Sequence, residues 1–472
     1  MSDTSIPSIK NGIVREASVD QSLSPQDSVE LAINVNFDSI GAITRRDGLT
    51  RFGTQQSGSV NGMGFFRNNA ATIHAALAKI NTDVYANIGS GWTSVRSGLT
   101  VSSKARFTNL VDYTFMVNGN ANQVCATWSG SGSFGSTNVA SLPKGDFIEN
   151  YRNRIWIADN SDDKLYYSDV VNTNSTITGG TSFIQVSPAD GQKMRGLIRH
   201  PKALLVFKEN NIYRVFNPNS ADPDPAINRG TYSQESIIQA KDGIYYHHPT
   251  GFYKFVFDGD QEEISLPISD IVKAIPRTSY ESIVGWADDN HILWSIGDIT
   301  LDGISFSNLV VRRTISTKVW TVYSYPTQIT SSTLYDSGST LVPLLGDESG
   351  NVLQFDTGVD DFGTVIHYDV ITHWITFSSL QSLQKNLAQV VALHENAEGT
   401  QLEFQIDMDN VRNTTNSWRP LGQIKKALTQ TLGLKANNFY RIRFRIFGNS
   451  SGTPFKFRSL DFLDLDIGTP KK

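Results

Sequence analysis

One cysteine, Cys125, stands in 472 residues, so no intrachain disulfide can form and the chain reads as one made in a reducing compartment. Its position inside a hairpin pattern marks it as a small buried hydrophobe. Charge is also sparse, at 18 % of residues, which fits a surface covered by neighbours or by hydroxyl and amide groups. No apolar run approaches the roughly 18 residues of a membrane-crossing helix. The opening MSDTSIPSIKNG has neither the basic nor the apolar region of a secretory leader, so a soluble chain with no membrane partner is expected. The formal charge of −5 arises in residues 1–360, because residues 361–472 carry 13 Lys and Arg against 10 Asp and Glu. That distribution does not match a basic nucleic-acid clamp.

Catalytic patterns are missing as well. Gly130, Gly132 and Gly135 match GxGxxG formally but open no amphipathic helix, so the phosphate-cradling geometry is absent. Asp407 and Asp409 resemble the first ligands of a calcium loop, yet Arg412 holds the position that needs Gly and no Glu closes the loop. His247 and His248 are adjacent, so on a strand they face opposite ways and cannot share one metal. The other histidines are scattered. No GxSxG elbow is present. Propellers include glycosidases with paired carboxylates, but Asp159, Asp162, Asp163, Asp169, Asp258, Asp260, Asp288 and Asp289 lie in turn contexts such as ADNSDD and ADDN, where Asp caps backbone. The expectation is a non-enzyme with no catalytic residue, cofactor or metal. Asn174 and Asn413 open glycosylation sequons that lack a secretory context.

The chain is rich instead in 37 Gly, 25 Phe, 16 Tyr and 8 Trp, a composition of strands and turns. Residues 151–170, YRNRIWIADNSDDKLYYSDV, and residues 202–217, KALLVFKENNIYRVFN, each join apolar strands through a polar turn, the mark of antiparallel hairpins. Related hairpins recur near Tyr113, Tyr245 and Leu353. Their spacing of about 35–50 residues is that of four-stranded propeller blades; about six are expected, with five or seven compatible with the spacing. Ring closure would protect the edges that an isolated blade exposes. Trp156, Tyr166, Phe207, Tyr213, Trp294 and Trp320 would then pack between blades.

The pattern changes near Asp360. HYDVITHWITF, NLAQVVALHENAEGTQLEFQIDMDN, NNFYRIRFRIFG and FKFRSLDFLDLDIG are long alternating strands, which predicts a β-sandwich or jelly-roll-like unit. KALTQTLGLKAN, residues 426–437, is the best helix candidate. The expected class is therefore all-β, a β-propeller plus a β-sandwich platform: an extended arm over 1–28, a hairpin over 29–60 contributing to the platform, a propeller over 61–358 and the platform over 359–472. Arg441, Arg443 and Arg445 alternate with Ile442, Phe444 and Ile446, setting three guanidinium groups on one strand face, either paired across strands or offered to acidic protein or DNA phosphates. Arg45 and Arg46 beside Asp47 are a paired turn or a docking contact. These five arginines are the candidate assembly contacts.

INVNFDSIGAITRRDGLTRFG near the start contains a G-x-hydrophobic-x-R-R-x-G turn. With YRNRIWIADNSDDKLYYSDV, KALLVFKENNIYRVF and DGIYYHHPTGFYKF, it resembles the tail-tube or nozzle proteins of short-tailed bacteriophages, the packaged-DNA stabilisation or tail-hub group. The resemblance spans most of the chain. It implies a structural virion protein assembled in the host cytoplasm: a homo-hexameric ring below the portal and adaptor, closing the filled head, bearing spikes or fibres, and passing double-stranded DNA through its channel. A net acidic conduit suits DNA that must leave. The alternative is a receptor-binding propeller that binds or cleaves carbohydrate, with Trp92, Trp128 or Trp418 as stacking platforms.

Overall fold

The computed structural model describes residues 12–15, 28–37, 41–89, 91–120, 123–136, 139, 141–172, 177–218, 224–257, 261–377, 383–408, 417–425, 428–450 and 456–468. Strand accounts for 56 % and helix for 5 %, so the chain is all-β. Six sheets follow one another as antiparallel meanders over residues 60–96, 106–128, 147–185, 194–227, 238–263 and 284–324. A seventh takes Ile329–Asp336, Leu341–Asp347 and Val352–Gln354, and its fourth strand is Thr50–Arg51 from the other end of the chain. The hairpin read near Leu353 thus falls in the seventh sheet, apart from the strands of 284–324. The first strands follow one another in a cycle: Val60–Arg67 lies beside Arg106–Leu110, then Phe147–Tyr151 and Met194–Arg199 follow, and Ile329–Asp336 returns to Val60–Arg67. Between the fourth and fifth sheets the contact is made by the short helical turn Gln234–Ser236.

The local chemistry favours these hairpins. Phe147–Tyr151 and Arg154–Ala158 are joined by Arg152 and Asn153, both left-handed with φ of 50° and 55°. That is the two-residue turn whose twist matches the flanking strands. Apolar faces of successive sheets then interlock. Trp156, Leu165, Leu197, Val206 and Tyr213 share one buried cluster between the third and fourth sheets. Phe207, Tyr246 and Tyr253 fill the next gap, and Trp294 and Trp320 stack at 6.3 Å over Phe252. Cys125 is fully buried between the second and third sheets, and burial pushes its thiol up to about 12.

The sixth sheet does not end at its fourth strand. Trp320–Ser324 pairs in parallel with Gly12–Ile13 and Ser28–Ile33; Ser28–Ile33 then pairs with Ile366–Thr372, followed by Arg441–Ser450, Gln401–Asp407 and Arg419–Gln423. A single ten-stranded sheet therefore runs out of the ring. Its far half faces a five-stranded sheet of Val35–Phe37, Ile43–Arg45, Lys456–Ile467, Lys385–Glu395 and Thr429–Phe439, and both bury Val390, Leu434, Phe444, Ile446 and Phe462 in one core.

The sequence expectations meet this arrangement unevenly. Of the 1–28 arm, residues 1–11 and 16–27 lie outside the described residues, while Ile13 is fully buried. The 29–60 segment serves both regions, with its hairpin in the five-stranded sheet and Thr50–Arg51 in the ring. The helix expected over 426–437 is corrected: its described residues from 429 onward are strand, because Leu432, Leu434 and Ala436 alternate into the core. Period two outweighs helix propensity there.

Candidate functional site: an axial ion cluster and an arginine face

The starts of the radial strands bring polar groups together at one end of the ring. Arg106 opens the second sheet, Phe147 the third and Arg195 lies at the head of the fourth, while Glu235 precedes the fifth and Glu281 the sixth. They line a polar cavity of about 440 Å³ with Asn118, Asn120, Asn160 and Tyr232. The Arg106 guanidinium lies 2.8 Å from a Glu235 oxygen, donates to the Asp146 carbonyl at 2.8 Å and covers the Phe147 ring. Lys104 reaches Glu235 at 3.2 Å. Arg195 donates to Glu209 at 2.6 Å and approaches Glu281 at 3.0 Å. Burial alone would raise the Glu235 carboxyl, but Arg106 and Lys104 outweigh it and hold it at about 2. A group so acidic stays ionised at neutral pH and is unsuited to general acid chemistry. Nearby, burial raises the Glu149 carboxyl against the opposing effect of hydrogen bonds from Asn150 and Thr108 and of the Arg199 charge. The cluster ties opposite sides of the ring across its axis.

The second locus is the face of the ten-stranded sheet predicted from the arginine triplet. Arg441, Arg443 and Arg445 stand opposite Asp407, Gln405 and Glu403. Arg441 pairs with Asp407 at 2.7 Å, Arg443 with Glu30 at 2.6 Å and Gln405 at 2.7 Å, and Arg445 with Asp369 at 2.7 Å. Trp374 stacks on Arg441 and Arg443 at 5.0 and 4.8 Å, and Trp418 covers Arg443. The three side chains remain between 14 % and 30 % exposed, so the face is a paired ladder with its edges still accessible.

Arg45 and Arg46 are placed differently. Arg46 is 1 % exposed and forks onto both Asp361 oxygens at 2.8 and 2.5 Å, with further bonds to Asn34 and to the Asp47 and Ser324 carbonyls. Tyr325 packs under it at 4.4 Å. Arg45 is 4 % exposed and donates to the Val359 carbonyl. Neither guanidinium faces outward, because each is used to pin the N-terminal hairpin to residues 359–361; the accessible arginines are those of the 441–445 strand. Gly48, the last position of the R-R-x-G turn, passes so close to this segment that an added Cβ would sit 1.8 Å from the Asp360 oxygen.

The aspartates behave as turn caps in most places: Asp159 accepts from Ser161, Asp162 from Lys164, and Asp288 from Asn290 and His291. Asp163 does more, since with Asp190 it holds the buried Lys208 ammonium at 2.8 and 2.9 Å. His248 bonds Thr250, while His247 is enclosed by Phe252 and Tyr280. Among the described residues no three His, Cys, Asp or Glu side chains are grouped to hold a metal ion. Trp128 is corrected as a stacking platform: it is 2 % exposed in the core between the first and second sheets. Trp92 gives its indole N–H to the Phe52 carbonyl. The axial cluster was not found from sequence, although aligning the starts of the repeats would have placed Arg106, Arg195 and Glu235 at comparable positions.

No protein-family model matches the chain, and no curated protein matches it at a significant level. Solved structures similar to it include YCF48 bound to a D1 peptide, at 12 % identity over 66 % of this chain and 97 % of that one, TM-score 0.44. A second is a virginiamycin B lyase from Staphylococcus aureus with quinupristin, at 13 % identity over 65 % of this chain and 98 % of that one, TM-score 0.45. Both have β-propeller folds.

Proposed function

We propose that the chain is a structural virion protein, the nozzle or tail-tube subunit of a short-tailed bacteriophage. On this reading the seven radial sheets are the blades of a propeller and the two larger sheets a β-sandwich platform. Six copies form a ring below the portal and adaptor, close the filled head and offer sites for spikes or fibres. DNA passes through the centre of the ring of subunits rather than along the axis of each propeller.

The observation that carries the reading is the ten-stranded sheet, which continues hydrogen-bonded from the ring into the platform through Ser28–Ile33. A continuous sheet makes the two units one stiff body, as a load-bearing tail component requires. The axial ion cluster supports it further, because Lys104 and Arg106 on Glu235 brace the propeller across its own axis. With a net charge of −5 per chain, the assembled conduit would repel phosphate rather than retain it. Electron-microscopic projection and native mass measurement of the purified protein test the proposal. A six-membered ring of about 313 kDa, six times the 52.1 kDa chain, is expected. A species that stays monomeric at every concentration would overturn it.

A further inference from the structure

The five-stranded sheet is open on both sides among the described residues. Thr429–Phe439 pairs only with Lys385–Glu395. Lys456–Ile467 pairs with the other side of Lys385–Glu395, but Ile43–Arg45 reaches only Lys456 and Phe457, which leaves residues 458–467 without an outer strand. Left-handed residues interrupt each edge, Lys435 at φ 50° and Asp464 at φ 56°. The straight stretches that remain, 429–434 and 458–463, match in length. Unpaired edges of this kind are templates for another strand.

The two edges also differ in charge. Asp461, Asp464 and Asp466 lie on one, together with Lys456 and with Arg458, whose charge is taken up by Glu395, whereas Lys435 lies on the other with Arg419 and Lys425 close by in the chain. Asp461, Asp464, Asp466, Lys435, Arg419 and Lys425 form no ion pair among the described residues. The outer face shows Leu393 on the central strand and Leu463 on the acidic edge, 36 % and 43 % exposed. Because Lys385–Glu395 is antiparallel to both edge strands, those strands run in the same direction. A basic edge meeting the acidic edge of another copy would form a parallel pair and leave one edge of each kind free. Such a contact is heterologous and closes into a ring when the rotation allows.

We infer that Thr429–Phe439 of one protomer adds in parallel to the 458–467 edge of the next, so that the five-stranded sheets of neighbouring copies join edge to edge. The inference rests on the ring reading only in taking a second copy of this chain as the occupant. The N–H groups available can be named. His394 donates to the Leu428 carbonyl at 3.0 Å, and strict alternation of an antiparallel pair from that point turns the Thr429 and Thr431 N–H groups outward.

Two charge-reversal variants test it, D461K/D466K and K425E/K435E, measured by sedimentation with circular dichroism as the check on folding. Each alone should remain a folded monomer, and an equimolar mixture should reassemble, since each reversed edge then meets its complement. Thr431→Pro, which removes an outward N–H and leaves the inner ladder intact, should lower assembly at least tenfold in concentration. If the folded variants form rings as the unaltered chain does, or if their mixture does not reassemble while the unaltered chain does, the edge contact is wrong and the ring reading stands. If the unaltered chain never assembles, the ring reading fails first and the edge contact with it.

Discussion

Arg46 offers a sharp test of how the ring and the N-terminal hairpin of the five-stranded sheet are held together. Its guanidinium is enclosed, 1 % exposed, against an Asp361 carboxylate that is 3 % exposed. Two charge-assisted bonds join the pair, three more bind Arg46 to Asn34, Asp47 and Ser324, and Tyr325 and Tyr323 pack on its plane. In Arg46→Ala the lost contacts matter less than the Asp361 charge left behind without its partner, since breaking one side of a buried pair costs about 3–5 kcal/mol. Arg46→Lys keeps the charge but loses the fork and most of the stacking, and should cost about 2 kcal/mol. Replacing both partners, Arg46→Met with Asp361→Leu, removes the stranded charge and should recover most of the loss. Equilibrium urea unfolding of the unaltered chain, Arg46→Met, Asp361→Leu and the double variant gives the cycle directly. A loss below about 1 kcal/mol in Arg46→Ala would refute the argument, as would a double variant less stable than both singles.

Acid should destabilise the chain through His247. Burial, and then the neighbouring His248 charge, depress its folded value from 6.5 to about 3. The unfolded state therefore takes up a proton that the folded state refuses; this contribution to stability is intact above pH 6.5 and is lost as pH falls toward 3, by roughly 5 kcal/mol in all. His247→Phe should flatten urea midpoints over that window, and an unchanged slope would count against the assignment. Glu235→Gln leaves Lys104 and Arg106 without their carboxylate and should cost about 2–3 kcal/mol, read as a lowered melting temperature. Equal stability in that variant would mean that the axial cluster does not brace the ring.

Legibility from sequence followed locality. Hairpins such as 154–168 were readable because turn residues and alternation lie within a few positions of one another, and the inter-sheet packing of Trp156 or Trp294 follows from the same pattern. The merging of Trp320–Ser324 with Ser28–Ile33 was not readable, because a parallel pair between distant segments leaves no turn signature. The candidate site divided in the same way. The triplet Arg441, Arg443 and Arg445 shows its shared face through alternation alone, whereas the partners Glu30, Asp369 and Asp407 come from three other strands. Arg46 read as part of a paired turn or as a docking contact because its partner Asp361 lies 315 positions away.

That long-range stitching decides whether the ring can exist without the segments that flank it in sequence. Residues 61–358 would lack Thr50–Arg51, which completes the seventh sheet against Leu353 and Gln354. They would also lack Ser28–Ile33, which covers the edge of Trp320–Ser324. Two edges would be bared, and the Trp320 side chain, 1 % exposed in the whole chain, would lose the core supplied by Ile13 and Val29. An exposed apolar edge favours aggregation. Closing the cycle also joins segments about 300 positions apart, so the closing strand carries a loop-closure cost that only the completed ring offsets. The 61–358 fragment should therefore be insoluble or unfold non-cooperatively, while a fragment that keeps residues 12–372, and with them Asp361 and the Ile366–Thr372 partner of Ser28–Ile33, should recover a single sharp transition. A soluble 61–358 fragment that unfolds in one step with full-length stability would show that the strands from the N-terminal segment decorate the ring rather than close it.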